Sequence, residues 1–214
     1  SVQFKKETDC VSETRWTSTG WTNGVPDGVG AKKKIIFETD YNSSINPSNS
    51  GILIGCSAEI RNTANVTLTS YHNLTIDNEI MVATGASFVL KSDANLLQIN
   101  NEPINDNEGV IKVERLIAES SPLRKEYNYL SSPVIGQNMK RLFGNDVSNT
   151  PFTMVLNEST NLFVNAKDVD YQIRAKGFAV KEPKPAYLGT LAEYSGEPIN
   201  GEFGITVSRA ANNR

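Results

Sequence analysis

Carboxylates are the side chains in this chain with the most obvious chemical potential, because they bind metal ions and exchange protons. Two polar loops gather them, residues 101–108 (NEPINDNE) and residues 167–170 (KDVD). Ca²⁺ accepts carboxylate and carbonyl oxygens at irregular turns. Neither loop has the EF-hand spacing, and a plain polar loop is the alternative in both cases. The candidate calcium ligands are Glu102, Asp106, Glu108, Asp168 and Asp170.

Catalysis by the common hydrolytic routes needs groups that this sequence does not supply. His72 is the only histidine, and it lies in a Ser-Tyr-His-Asn-Leu turn, where an exposed position is expected. A triad needs a base beside a nucleophile, and zinc needs a cluster of nitrogen or sulfur ligands. The remaining carboxylates are scattered, so no pair fits glycoside hydrolysis. We therefore predict a protein that is not an enzyme and has no cofactor other than the calcium considered above.

Three aromatic residues near the N-terminus suggest two different roles. Trp16, Trp21 and Tyr41 could stack on sugar rings, as aromatic side chains do in glycan-binding modules. Alternatively, Trp16 and Trp21 could close the end of a stacked β structure, which would otherwise expose apolar side chains and unpaired strand edges. We favour the capping role.

The cysteine content allows a single intramolecular disulfide. Cys10 and Cys56 would join the N-terminal tail to the first clear repeat. Such a bond persists in an oxidising compartment outside the cytosol. Two free, buried thiols are the alternative, and the residues alone do not decide between them.

Composition and charge exclude several partner classes. The 214 residues carry 21 basic and 24 acidic side chains, for a formal net charge of −3. A mildly acidic chain has no electrostatic attraction for nucleic acid or an anionic membrane. No apolar stretch approaches the roughly 18 residues of a membrane span. Because the chain begins at Ser1, we expect a mature or excised part of a longer protein.

The elements that position these groups show a regular spacing. Apolar residues recur 14 residues apart in two offset series, Ile54, Leu68, Val82, Leu96 and Ile60, Leu74, Phe88. A chain that winds at constant pitch places its inward side chains on those of the preceding turn. Short alternating strands, separated by turn residues, are predicted at 34–39, 51–55, 58–61, 65–69, 73–77, 79–83, 87–91 and 95–100.

Two geometries fit strands whose centres lie about seven residues apart. A parallel β-helix with three faces would use about 21 residues per turn, whereas a two-faced coil or an antiparallel meander would use 14. We favour the β-helix because Asn-Gly hairpin loops are missing after residue 24. Apolar ladders such as Ile52/Val66/Ile80 are expected inside it.

The pattern changes near residue 108. Longer strands are predicted at 110–116, 127–130, 153–157, 162–166, 177–181, 188–194 and 204–208, with one short helix at 137–143. The prediction is therefore an all-β chain. A short parallel β-helix or solenoid with a Trp-rich cap occupies residues 1–107, and a β-sandwich follows at 108–214.

Several motifs in this order resemble one family. They are residues 21–27 (WTNGVPD), 55–60 (GCSAEI), 95–99 (NLLQI), 111–115 (IKVER), 127–134 (YNYLSSPV), 176–180 (KGFAV) and 194–201 (YSGEPING). They are similar to segments of the large cell-surface proteins that flavobacteria and other Bacteroidota export by the type IX secretion system. The chain departs from that pattern at Leu130, where an aromatic residue is usual, and in lacking the C-terminal sorting domain.

The resemblance implies a secreted or cell-surface protein with a structural or adhesive role, which could involve gliding or attachment. Its implied partners are the secretion or outer-membrane surface machinery, other surface proteins, or glycans. The resemblance implies no catalytic residues. The alternative function is a carbohydrate-binding module of a larger polysaccharide-degrading enzyme.

Overall fold

The computed structural model describes residues 10–46, 51–101, 106–117, 127–142, 152–181 and 191–201, together with Gly204 and Thr206. The chain forms two compact units, and the boundary lies between Ile111 and Lys112. The strands are β1 Glu13–Thr17, β2 Gly20–Trp21, β3 Lys34–Phe37, β4 Tyr41–Asn42, β5 Ile52–Gly55, β6 Ser57–Ile60, β7 Asn65–Leu68, β8 Asn73–Ile76, β9 Ile80–Val82, β10 Ser87–Leu90, β11 Asn95–Gln98, β12 Ile111–Leu116, β13 Asn128–Ser131, β14 Phe152–Asn157, β15 Leu162–Asn165, β16 Gly177–Lys181 and β17 Leu191–Gly196.

The first unit is a three-faced β-solenoid of about four turns, which confirms the predicted β-helix. Its first sheet runs β2–β1–β3–β6–β9, its second contains β10–β7–β4, and its third runs β11–β8–β5. The chain visits the three sheets in that order in every turn. All of these strand pairs are parallel except β1 with β2. Side chains in contact between turns lie 22 residues apart, as in Asn73 and Asn95.

The 14-residue spacing has a different meaning from the one predicted. Each face takes about seven residues, so a step of 14 moves the chain two faces onward. Ile54 lies in the third sheet, Leu68 in the second and Val82 in the first. The spacing therefore reports the length of a face, and residues in contact between turns follow the longer period of 22.

The predicted ladder Ile52/Val66/Ile80 is wrong for the same reason, because its three residues belong to three different sheets. The structure instead stacks Tyr41 on Val66 and Val66 on Phe88 in the second sheet. All three side chains are at most 2% exposed. Parallel ladders of this kind form one continuous apolar column through the unit.

Corner positions repeat the same period in their backbone conformation. Tyr71 and Asp93 both adopt a left-handed φ, of 67° and 66°. The Tyr71 N–H donates to the Asp93 carbonyl at 3.1 Å, so the two corners lie directly against each other. Gly109 also has a positive φ, of 87°, and a Cβ there would lie 2.1 Å from the Val82 carbonyl oxygen. Only glycine fits this last approach.

The second unit is built on an antiparallel sheet with the order β13–β16–β14–β15. A second pair of neighbouring strands, β12 and β17, belongs to the same unit. One face of the four-stranded sheet is buried through Phe178, Val180 and Val155. The helix predicted at 137–143 is a short 3-10 helix, Met139–Arg141, and Phe143 lies outside the described residues.

A second 3-10 helix covers Asp168–Gln172. The strand predicted at 204–208 falls largely outside the described residues. Across the part of the chain that the structure describes, no helix has the length and apolar content that a membrane crossing needs.

Candidate functional site

The aromatic residues near the N-terminus form one cluster at the end of the solenoid. Trp16 on β1 and Trp21 on β2 lie across the antiparallel β1–β2 pair, with ring centroids 5.3 Å apart at 62°. Trp16 meets Tyr41 at 5.1 Å and 82°, and Trp21 meets Phe37 at 5.7 Å and 65°. These are edge-to-face contacts, in which the edge of one ring packs on the face of the next.

This cluster is anchored by both burial and hydrogen bonds. Phe37 and Tyr41 are 0% and 2% exposed, and burial raises the pKa of the Tyr41 phenol to about 12. The Trp16 Nε1–H donates to the Asp40 carbonyl at 2.9 Å. The Asp40 carboxylate in turn accepts the Asn65 N–H at 2.8 Å. The rings therefore connect the first strands to the following turn, an arrangement that suits a cap better than a flat sugar platform.

Cys10 and Cys56 are joined by a disulfide, with their Cα atoms 5.9 Å apart. Cys56 follows β5 and immediately precedes β6, and it is buried. Its N–H donates to the Lys33 carbonyl at 3.0 Å, which fixes the corner between two faces. The bond thus ties the segment that leads into β1 to the first complete turn of the solenoid.

The candidate calcium ligands are not brought together among the described residues. Asp106 and Glu108 are exposed, and Glu102 lies outside the described residues. The Asp170 carboxylate accepts the Lys167 N–H at 2.8 Å, while the side chain of Asp168 is 87% exposed. Where the structure describes the chain, no group of three or more histidine, cysteine or acidic residues could hold a metal ion.

Asn107, in the middle of that same loop, has a structural role that the sequence did not indicate. It is 4% exposed, and its Oδ1 accepts hydrogen bonds from the Ile80 N–H at 2.9 Å and from Gln98 Nε2 at 2.8 Å. Its Nδ2 donates back to Gln98 Oε1 at 3.0 Å. This pair of amides closes the loop over the last turn. The signal available in the sequence was an amide among carboxylates, which does not distinguish a buried side chain from an exposed one.

Amide side chains also stack between turns at the corners. Asn95 Nδ2 donates to Asn73 Oδ1 at 2.9 Å, and Asn100 Nδ2 donates to Asn78 Oδ1 at 2.7 Å. Both pairs are 22 residues apart, so the period was present in the sequence. His72 lies beside one of these stacks, where its Nδ1 is 3.0 Å from Thr69 Oγ1. A hydrogen-bonded turn position of this kind is structural.

The outer face of the first sheet carries an ion-pair network. Glu59 on β6 binds Arg61 through two hydrogen bonds of 2.6 and 2.8 Å and pairs with Lys34 on β3 at 2.8 Å. Hydrogen bonds from Arg61, aided by Lys34, lower the pKa of the Glu59 carboxyl to about 2. The network covers Ile36, an outward-facing residue that is nonetheless fully buried.

Glu59→Gln is expected to lower the free energy of unfolding at pH 7 by about 1–2 kcal/mol. The shift from 4.5 to about 2 sets an upper bound of roughly 3 kcal/mol, which solvent exposure reduces. Because the folded pKa is depressed, the advantage of the wild type is complete above pH 4.5 and disappears as the pH falls through about 2. Urea unfolding from pH 7 to pH 2 measures this difference.

Glu13→Gln is the matched control for this substitution. It removes a more exposed carboxylate from the same outer face, one that pairs with Arg15. The expected loss is below about 0.5 kcal/mol. A difference between wild type and Glu59→Gln that stays constant down to pH 2 would contradict the role assigned to the ion pairs.

A third surface lies in the second unit and was not anticipated from the sequence. The face of the antiparallel sheet opposite its buried side holds an open apolar groove of about 360 Å³. Tyr129 and Phe163 flank it, with ring centroids 6.3 Å apart, and Gly177 and Ala179 lie between the strands that carry them. Tyr129 is 74% and Phe163 45% exposed. An exposed aromatic groove of this size is typical of a binding surface.

Comparison with known proteins gives one match. The sequence model of a family described as a domain of unknown function (DUF8693) matches residues 9–214. No curated protein and no solved structure matches the chain significantly.

Proposed function

The match spans nearly the whole sequence, so this chain belongs to the DUF8693 family, and we propose that it is a non-enzymatic structural or adhesive module of a secreted bacterial surface protein. The motif resemblance favours Bacteroidota as the source and the type IX secretion system as the export route. Gliding or attachment would be the process served. The partners proposed are the secretion or outer-membrane surface machinery, other surface proteins and glycans.

The observation that carries this proposal is the Cys10–Cys56 disulfide. Disulfides with a structural role form and persist in secreted and surface proteins, whereas the cytosol keeps thiols reduced. This bond closes a loop between residues 46 positions apart, and it joins the capping segment to the stack. Its position therefore suits a module that must remain folded outside the cell.

The construction of the solenoid supports a scaffold role. Successive turns are joined by parallel strand pairing, by the buried column that includes Val66 and Phe88, and by amide pairs such as Asn73 with Asn95. In such a stack each turn stabilises its neighbours, and few long loops are open to proteases. The aromatic cluster protects the first turn from edge-to-edge association.

Labelling of the producing cells tests the proposal. Intact cells would be treated with a membrane-impermeant amine-reactive biotin, and the two cysteines would be trapped with an alkylating reagent before lysis. We expect the chain to be biotinylated on intact cells and Cys10 and Cys56 to be alkylated only after reduction. A cytosolic protein serves as the unlabelled control. Recovery of the chain only from the lysate, with both cysteines reduced, would refute the proposal.

Glycan binding is the second candidate function, because Trp16 and Trp21 remain only half-buried at the end of the solenoid. Titration with soluble polysaccharides, followed by tryptophan fluorescence, separates the two candidates. A scaffold predicts no change in emission with any polysaccharide. A saturable change that Trp21→Ala abolishes would favour the glycan-binding module instead.

A further inference from the structure

The last strand of the antiparallel sheet has an open edge. β15 pairs only with β14 and ends the sheet. The Ala166 N–H donates to the Thr153 carbonyl at 3.0 Å. Hydrogen-bonded pairs alternate along an antiparallel ladder, so the backbone groups of Phe163 and Asn165 point away from β14. Within the described part of the chain, none of these outward groups has a hydrogen-bond partner.

This edge also lacks the features that normally prevent unwanted pairing. Natural edge strands are protected by charged side chains, proline or bulges. The sequence of β15, Leu-Phe-Val-Asn, contains neither charge nor proline, and its register with β14 is continuous. All four residues are exposed, including Leu162 at 63% and Phe163 at 45%. An apolar strand that is exposed on both faces and open at its edge is suited to pairing with another strand.

The groove described above borders this edge. Phe163 projects from β15, and its ring reaches within 6.3 Å of the Tyr129 ring on β13, at the opposite side of the sheet. Three strand spacings of about 4.8 Å separate the two backbones, so both rings lean over the intervening strands. Gly177 and Ala179 on β16 leave the space for them. An apolar side chain that arrives at the edge would therefore meet an aromatic surface.

We infer that the open edge of β15 binds an extended segment of another polypeptide by strand addition, with an apolar side chain of that segment packed against Phe163. The unpaired backbone donors and acceptors identify the ligand as a polypeptide strand rather than a saccharide or a lipid. A four-residue edge buries much less than the roughly 800 Å² per partner of a stable dimer, which points to reversible capture of a short segment. The inference concerns the second unit alone and goes beyond the scaffold role of the solenoid.

A synthetic peptide with the β14 sequence Phe-Thr-Met-Val-Leu-Asn, flanked by lysines for solubility, is the probe, because β15 already pairs with this sequence along its inner edge. Its binding to the full chain would be followed by fluorescence anisotropy. Asn165→Pro removes an outward N–H without affecting the bonds to β14, and is expected to weaken binding at least about tenfold. Asn165→Ala keeps the N–H and is expected to change the affinity by less than about twofold.

A second form of the peptide, N-methylated at alternate residues, tests the same point with an unaltered protein. It is expected to lose binding, and it decides the matter if Asn165→Pro fails to fold. Equal affinity for the methylated peptide, or no binding of the parent peptide up to millimolar concentration, would overturn the inference. Concentration-dependent dimerisation that Asn165→Pro abolishes would also overturn it, because the edge would then pair with a second copy of this chain.

Discussion

Cys10→Ala combined with Cys56→Ala is expected to lower the free energy of unfolding of the solenoid unit by about 4 kcal/mol. The disulfide joins residues 46 positions apart, and removing it restores that loop entropy to the unfolded chain. Both tryptophans of the protein, Trp16 and Trp21, lie in this unit. Urea unfolding followed by tryptophan emission therefore reports on the solenoid separately from the second unit.

Reduction provides the control for this substitution. Wild type treated with a thiol reductant should unfold at the same urea concentration as the double variant, and the double variant should not respond to the reductant. If the midpoint is equal for the wild type with and without reductant, the bond does not stabilise the fold. The same result would weaken the proposal that the chain is adapted to an oxidising environment.

Phe88→Ala is expected to be comparably severe, with a loss of about 3–5 kcal/mol. The ring is 1% exposed and stacks on Val66 of the preceding turn, so its removal leaves a cavity in the column of the second sheet. Leu97→Ala is the matched control, because Leu97 is 51% exposed and points outward from β11. Its expected loss is below about 0.5 kcal/mol. The tryptophan-detected unfolding described above measures both.

A double-mutant cycle then tests the 22-residue period itself. Val66 and Phe88 are register partners, so Val66→Ala and Phe88→Ala should be coupled by about 0.5–3 kcal/mol. Additive effects within error would show that the two side chains do not share one column. That result would contradict the three-faced geometry, in which one turn takes about 22 residues.

Much of the solenoid was predictable because its signals are local. Every strand predicted between residues 51 and 100 overlaps an observed strand, from β5 to β11. Short alternating segments separated by asparagine, aspartate and glycine require nothing beyond neighbouring residues to be identified. The N-terminal segment was harder. Its turn signals concealed β1 and β2, which exist because Glu13–Thr17 pairs in register with Lys34–Phe37.

The period was the main error at the level of residues. The spacing of Ile54 and Leu68 is real, but it measures the length of a face, and a sequence does not show how many faces make a turn. The pairs Asn73/Asn95 and Asn78/Asn100 carried the correct period of 22. They were missed because polar corner residues were interpreted as turn formers. In the structure, their side chains bond from one turn to the next.

The surfaces divide in the same way. Residue types alone identified the carboxylates, the cysteine pair and the aromatic residues, and they led to the expectation of a scaffold. The disulfide, the edge-to-face packing of Trp16 with Tyr41, and the burial of Asn107 depend on which distant segments meet. The groove between Tyr129 and Phe163 depends on a strand order, β13–β16–β14–β15, that is not the order of the sequence. Local patterning sets strand and turn, whereas these contacts arise from long-range pairing, and no short window of sequence encodes that pairing.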